Sequence, residues 1–192
     1  MSRPRGSAAV GDGWHVGIVT VLAGETGAVL DVFGIAGGRR FHTGRMAVPG
    51  GVTYLVASPP AGPGGVFAAL GGLCARYDPA VVVLVGGGHD HPTAANDVLV
   101  TGGREPVDGA VTTFFAAAGE PAALPGFGGT VPFRVHRGLT GDDDLPRFCA
   151  SATTRRGKPL AWAVIRGVTG DAADRNAAQT LRYLIPYLRP RL

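Results

Sequence analysis

Residues 79–100, PAVVVLVGGGHDHPTAANDVLV, contain the stretch that decides the fold. Residues 81–85 form an unbroken apolar run, which is typical of a strand buried on both faces, and such strands occur mainly in α/β proteins. The run ends in Gly86, Gly87 and Gly88, where the absence of a Cβ lets backbone amides approach a ligand. Because open α/β sheets bind ligands at the carboxyl ends of their strands, we predict a binding crevice here. A flexible tight turn is the alternative interpretation of the three glycines.

The segments on either side of this stretch alternate between strand and helix patterns. Helical spacing of apolar residues predicts helices after Glu25, over residues 66–77 and at the C-terminus, where Pro186 is expected to kink or end the last helix. Residues 110–117 fit either a strand or a short helix. Further strands are predicted at 14–22, 41–48, 52–58, 97–100, 131–136 and 161–165. This alternation predicts an α/β layered domain with a largely parallel or mixed sheet.

Composition narrows the class of protein. The 192 residues, of which 45% are apolar, predict a single globular domain over residues 14–192, with residues 1–13 as a disordered tail. The net charge of +4 comes from scattered arginines, which predict a solvated surface and no nucleic-acid partner. No apolar run reaches membrane-spanning length. Cys74 and Cys149 have no zinc-site spacing and fit reduced thiols, so we expect a cytoplasmic protein.

Unusual polar groups follow three of the predicted strands: Glu25, the segment His89-Asp90-His91, and Asp171. Glu25 and Asp171 suit general acid–base work, in which one carboxylate activates water and the other protonates a leaving group. Cleavage of a glycosidic bond needs this division of labour. A glutamate in the first turn of a helix is also ordinary helix chemistry and needs no further role.

The sequence contains two other candidate ligand sites, one for a metal ion and one for an anion. His89 and His91 with a third ligand fit a metal site, but a lone His-X-His turn is usually a surface feature, and we predict neither metal nor cofactor. The loop at 59–65, PPAGPGG, precedes a predicted helix, and free amides at such a junction can hold an anion. It lacks the Lys-Ser/Thr of a Walker A loop and the spacing of the dinucleotide fingerprint.

Six motifs, taken in order, resemble the nucleoside phosphorylase superfamily, which includes purine and uridine phosphorylases and methylthioadenosine/S-adenosylhomocysteine nucleosidases. They are VGIVTVLAGETGAVL at 16–30, FHTGRM at 41–46, SPPAGPGGVFAAL at 58–70, PAVVVLVGGGHDH at 79–91 followed by Asn96-Asp97-Val98, GLTGD at 138–142, and VIRGVTGDAAD at 164–174. Asn96-Asp97-Val98 resembles a Gly-Asp-Val strand, and the last motif resembles Val-Ile-Arg-Gly-Ile-Ser-Asp-x-Ala-Asp.

The resemblance implies a three-layer αβα sandwich with a mixed central sheet, a homodimer or higher homo-oligomer, and cleavage of a nucleoside N-glycosidic bond. Glu25 matches the catalytic glutamate. Asp171 matches the acid that protonates the purine, with Gly170 counted as an inserted residue. The substrate-binding residues that it implies are Gly86, Gly87, Gly88, His89, Asp90, Phe148, Arg166 and Thr169.

The sequence also departs from the superfamily pattern. His89 and Asp90 replace glycines that border the ligand, and the Met-Glu pair that binds the ribose hydroxyls is absent from the shortened segment before Arg166. Hydrolysis of a purine nucleoside or nucleoside-like metabolite is preferred to phosphorolysis, because no arginine stands in the loop that would hold phosphate. The alternatives are an isomerase, cyclase or lyase acting on a non-nucleoside metabolite, and a non-catalytic nucleotide-sensing module.

Overall fold

The computed structural model of the protein describes residues 15–38, 40–89, 92–129, 131–138, 144–155 and 157–188. The predicted tail at residues 1–13 lies outside these ranges, as do Asp90, His91 and residues 139–143. The described chain forms one eight-stranded sheet in the order β2-β3-β1-β4-β8-β5-β7-β6. The strands are β1 (Val16–Val19), β2 (His42–Val48), β3 (Gly51–Ala57), β4 (Val81–His89), β5 (Val98–Gly103), β6 (Ala122–Leu124), β7 (Phe133–Arg137) and β8 (Ala161–Val168).

Five α-helices of the described ranges cover the two faces of the sheet. They are α1 (Ala23–Phe33), α2 (Val66–Tyr77), α3 (Val107–Ala118), α4 (Asp144–Ser151) and α5 (Ala173–Leu184). Buried residues of α1, α3 and α5 share one hydrophobic cluster with the sheet, and those of α2 and α4 share a second cluster. Two apolar clusters separated by a sheet make three layers, so the predicted αβα sandwich is confirmed.

The sheet is mixed, as predicted, and its strand directions place the site. Strands β3, β1, β4 and β8 run parallel to one another, so their carboxyl ends meet at one edge. Strand β5 pairs antiparallel with β8 and therefore begins at that same edge, with Val98 opposite Gly167. Residues that follow β1, β4 and β8 or precede β5 are thus brought together.

The glycines after the apolar run do not form a turn. Gly86, Gly87 and Gly88 continue β4 as far as His89, with Gly86 opposite Arg166 and an irregular register before His89. The prediction of a strand ending at residue 85 was therefore wrong. Pairing with β8 holds the strand at Gly86 and again at His89, opposite Arg166 and Val168. Between these two pairs Gly88 has a φ of 73°, which glycine adopts without strain.

Three other segments differ from the prediction or complete it. Residues 110–117 belong to helix α3, whose buried face includes Phe114 and Phe115. No element is predicted at residues 144–151, which form α4, and Leu145 and Cys149 of this helix are fully buried. No strand is predicted at residues 122–124, which form the short strand β6 and pair with β7. These short elements are stabilised by partners distant in sequence, which local patterns do not reveal.

Both cysteines are free and lie on the α2–α4 side of the sheet. Burial, reinforced by the neighbouring Cys74 and opposed by Arg104, raises the pKa of Cys149 to about 12. Burial, with the Asp78 carboxylate, raises the pKa of Cys74 to about 11. None of the helices in the described ranges is long and apolar enough to cross a membrane.

We expect both thiols to react slowly with Ellman's reagent in the native protein at about pH 8, because only the thiolate attacks and burial suppresses its formation. Unfolding in guanidinium chloride should release two rapidly reacting thiols. Rapid labelling of Cys149 in the native state would contradict the packing of α4 against α2.

Candidate active site

Glu25 is the centre of the site and is 2% exposed. It is the third residue of α1, where its side chain reaches back over the start of the helix. Its Oε2 accepts hydrogen bonds from the amides of Val21, at 2.7 Å, and Leu22, at 2.9 Å. These amides belong to the unpaired N–H groups at a helix N-terminus, so the carboxylate satisfies them while the helix dipole favours its charge.

The second oxygen of Glu25 connects α1 to two strands. Oε1 accepts a hydrogen bond of 3.2 Å from the amide of Gly87 in β4, and Nη1 of Arg166 in β8 lies 3.4 Å away. The side chain of Arg166 is 11% exposed. The pair thus forms where little water screens it, and the contacts on Oε1 are longer than those on Oε2.

The glycines of β4 make room for these side chains. A Cβ added to Gly86 would overlap Nη1 of Arg166 and Oε1 of Glu25, and a Cβ added to Gly87 would overlap Oδ1 of Asp174. The sequence predicted glycines that open the backbone to a ligand. In the structure, Gly86 and Gly87 instead admit charged side chains of the protein itself, and the Gly87 amide binds Glu25.

A second carboxylate, Asp174, lies beside Glu25 in the first turn of α5. Its Oδ1 lies against Gly87, and its Oδ2 is 3.2 Å from the position that a Cβ on Gly24 would take. Burial raises the pKa of Asp174, the charge of Glu25 raises it further, and Arg166 lowers it. The cluster therefore contains two carboxyl groups, those of Glu25 and Asp174, and one guanidinium, that of Arg166.

The structure places Asp171 outside this cluster. Asp171 is exposed in the turn between β8 and α5, and Asp174 is the acid of the same motif that faces Glu25. The sequence prediction paired Glu25 with Asp171 because the motif was aligned through its first acid. The second acid, one helical turn further on, is the signal that was missed.

The other predicted binding residues are distributed around this edge of the sheet. Gly88 is exposed with a φ of 73°, Thr169 is exposed after β8, and His89 is the last residue of β4. Phe148 is half-buried on α4, where its ring packs edge-on against Phe67 with 5.9 Å between centroids. The structure therefore brings Gly86, Gly87 and Arg166 to Glu25. It places Phe148 on the α2–α4 face, and Asp90 lies outside the described residues.

The glycine-rich loop at residues 59–65 borders the same edge. Two of its amides, which were predicted to hold an anion, instead donate hydrogen bonds to the chain itself. The amides of Ala61 and Gly62 donate 2.9 Å hydrogen bonds to the carbonyls of Thr20 and Val21. A pocket of about 310 Å³ lies between this loop and α2. It is lined by Phe41, Ser58, Pro59, Pro60, Ala61, Gly65, Ala68, Ala69 and Gly72.

Within the described ranges, no group of three or more His, Cys, Asp or Glu side chains is arranged to hold a metal ion. Of the two histidines in the His-X-His hypothesis, His89 is the last residue of β4, and His91 lies outside the described residues.

Gly87→Ala tests the close approach of Asp174 to β4. We expect it to displace Asp174 and to lower the free energy of unfolding by about 1–3 kcal/mol, the usual cost of an extra methyl group in a packed site. Gly27→Ala is the matched control, because a Cβ at Gly27 in α1 meets no atom within 4 Å. It should stabilise the protein by about 0.5–1 kcal/mol. Equal effects of the two variants in urea unfolding would contradict the close approach of Asp174 to Gly87.

Asp174→Asn tests the environment of the second carboxyl. A pKa raised above 3.8 in the folded state means that Asp174 contributes stability below about pH 4 that is lost as the pH rises through the folded pKa. The asparagine variant has no such loss. We therefore expect its free energy of unfolding to increase relative to wild type between about pH 4 and pH 7. A difference that stays constant over this range would show that folding leaves the carboxyl unperturbed.

Comparison with known proteins places the fold. No protein-family model matches the chain, and a search of curated protein sequences gives no match. Solved structures do match. A mutant of the 5′-methylthioadenosine/S-adenosylhomocysteine nucleosidase of Helicobacter pylori, with 5′-methylthioadenosine in its active site, superposes with a TM-score of 0.57 and 13% identity. The match covers 91% of this chain and 99% of that chain.

Two further structures give the same result. Futalosine hydrolase of Helicobacter pylori has a TM-score of 0.56 and 13% identity, over 89% of this chain and 97% of that chain. The 5′-methylthioadenosine/S-adenosylhomocysteine nucleosidase of Neisseria meningitidis, in complex with methylthio-immucillin-A, has a TM-score of 0.50 and 15% identity, over 91% and 98%. The chain therefore has the nucleoside phosphorylase-like α/β fold of these nucleosidases, as the sequence resemblance implied.

Proposed function

We propose that this protein hydrolyses the N-glycosidic bond of a purine nucleoside or nucleoside-like metabolite, as a divergent relative of the nucleosidases whose fold it has. The observation that carries the proposal is the pairing of Glu25 and Asp174 at the carboxyl ends of the parallel strands. One acid is held among hydrogen-bond donors as a carboxylate, and burial and its neighbour raise the pKa of the other. Two acids in unlike environments are suited to act as base and acid.

The proposed step needs only water and the substrate. The water oxygen bonds to the anomeric carbon, and Glu25 takes one proton from it. The bond between that carbon and the base nitrogen breaks, its electron pair stays with the base, and Asp174 supplies the proton that neutralises the leaving group. The products are the free base and the sugar. Stabilising the developing positive charge on the sugar is a further role of the Glu25 carboxylate.

Oε1 is the atom of Glu25 that we assign as proton acceptor. Oε2 is saturated by two short amide bonds, whereas both contacts of Oε1 exceed 3.1 Å. A water molecule that competes with Arg166 for Oε1 would lie between the two carboxyls. Arg166 would hold the side chain of Glu25 in place while the substrate is absent.

Water is a better nucleophile for this site than phosphate. The glycine-rich loop at residues 59–65 contains no arginine, and two of its amides are bonded to carbonyls of the chain after β1. A phosphate ion would need those donors or a cation in their place. Purine specificity, the homo-oligomer and the cytoplasmic location implied by the sequence remain predictions.

A nucleotide-sensing module without turnover is the second candidate, and one observation favours it. Two donors on each oxygen of Glu25 occupy the four acceptor positions of a carboxylate, which leaves none for water in this arrangement. Glu25 would then serve only to join α1, β4 and β8. Binding of a nucleoside with no release of base, in wild type and in Glu25→Gln alike, would favour this candidate.

The test of the hydrolase is release of free base from methylthioadenosine, adenosine and inosine, with and without phosphate. We expect release from at least one substrate without phosphate. Glu25→Gln and Asp174→Asn should each lower kcat by about 100- to 10,000-fold, the usual contribution of a general acid or base. Asp171→Asn is the matched control and should stay within about twofold of wild type, because its side chain is exposed outside the cluster.

Two results would contradict this assignment. Absence of base release from all three substrates would count against hydrolysis of these nucleosides. A loss of activity in Asp171→Asn, with the activity of Asp174→Asn unchanged, would show that Asp171 is the acid that protonates the leaving group.

A further inference from the structure

The turn from β8 into α5 accommodates one residue more than the motif that it resembles. The resemblance counts Gly170 as the extra residue, and Gly170 lies between two hydrogen-bonded positions of the chain. On one side, Val168 exchanges hydrogen bonds with the segment before β5: its amide donates to the Asp97 carbonyl at 2.7 Å, and its carbonyl accepts from the Asn96 amide at 3.3 Å. On the other side, α5 begins at Ala173.

Asn96 binds the far side of this turn through two different groups. Its Oδ1 accepts a 2.8 Å hydrogen bond from the amide of Ala172, and its carbonyl accepts a 2.8 Å hydrogen bond from Nδ2 of Asn176. Asn176 is 1% exposed, so the second bond is made inside the protein. These two contacts bracket Asp174, which is two residues from each of the bonded positions.

The local geometry accepts few other residues at these two positions. Asn96 has a φ of 70°, in the left-handed region where glycine and asparagine are the usual occupants. A Cβ on Gly170 would overlap Oδ1 of Asn96, so a larger residue there would push the amide out of the turn. Glycine at position 96, as in the Gly-Asp-Val pattern, would keep the backbone but remove the acceptor for Ala172. The asparagine and the inserted glycine therefore fit each other.

We propose that Asn96 is a positioning residue: by holding the amide of Ala172 and the side chain of Asn176, it seats Asp174 against Gly87 and beside Glu25. The proposal rests on the proposed function in one respect, the role of Asp174 as the acid. The charged groups that face Asp174 are Glu25 from α1 and Arg166 from β8. Asn96 acts through the position of Asp174 relative to these two groups and to solvent.

The experiment is a carbon-13 NMR titration of the Asp174 carboxyl in the absence of substrate, with Asp174→Asn used to assign the resonance. In Asn96→Gly, we expect the start of α5 to relax, Asp174 to become more exposed, and its pKa to fall by about half a unit or more. Asn96→Asp keeps an oxygen acceptor and the tolerance for a left-handed backbone. It should retain the raised pKa, because its added negative charge can only raise that value further.

A second variant provides the same test if Asn96→Gly does not fold. Gly170→Ala leaves Asn96 in the chain but places a methyl group at its Oδ1, so the same fall in the pKa of Asp174 is expected. Thr113→Ala is the matched control. It removes one side-chain hydrogen bond, to the Gly109 carbonyl on the exposed side of α3, and should leave the Asp174 titration unchanged.

The outcomes separate this inference from the proposed function. If the Asp174 pKa in folded Asn96→Gly or Gly170→Ala equals that of wild type, Asn96 does not position Asp174, whatever the turnover. If the pKa falls and wild type releases base, the alkaline limb of the pH–rate profile should shift to lower pH by the same amount. If the pKa falls and no substrate is cleaved, the positioning role stands and the hydrolase is wrong.

Discussion

The buried Glu25 carboxylate is the interaction on which the architecture of the site depends. Its two oxygens bind donors from the start of its own helix, from β4 and from β8, so one side chain joins three segments that are far apart in sequence. A charge this deeply buried is tolerable only when donors surround it. Each neighbouring element is consequently constrained: the helix must begin with free amides, β4 must offer a bare amide, and β8 must carry a cation.

The glycines of β4 follow from this constraint. A β-branched residue would be the ordinary choice for a buried central strand, and β4 has valine or leucine up to residue 85. Beyond that point the carboxylates of Glu25 and Asp174 and the guanidinium of Arg166 occupy the space where side chains of β4 would project. Strand propensity is given up there so that three charged groups can meet in a small, poorly hydrated volume.

The fold of this chain and its proposed chemistry rest on different observations. The described chain has the layers and strand order of a nucleosidase fold, but at 13–15% identity to the solved structures the likeness extends to the fold alone. The proposed chemistry depends on the Glu25, Asp174 and Arg166 cluster and on how the β8–α5 turn is held.

The sequence by itself determined the class of fold and the strong elements, and it singled out Glu25, which the structure places among buried hydrogen-bond donors. Continuous valine runs, helical spacing and a glutamate at a strand-to-helix junction are local patterns, and local patterns record which residues are buried and where helices begin. Only the tertiary structure decided the strand character of Gly86–Gly88, the short elements α4 and β6, and which acid of the last motif lies beside Glu25. These depend on partners that lie far away in the chain. The β8 backbone pairs with Gly86 and with His89. Oδ1 of Asn96 binds the amide of Ala172, between the exposed Asp171 in the turn and Asp174 in the first turn of α5.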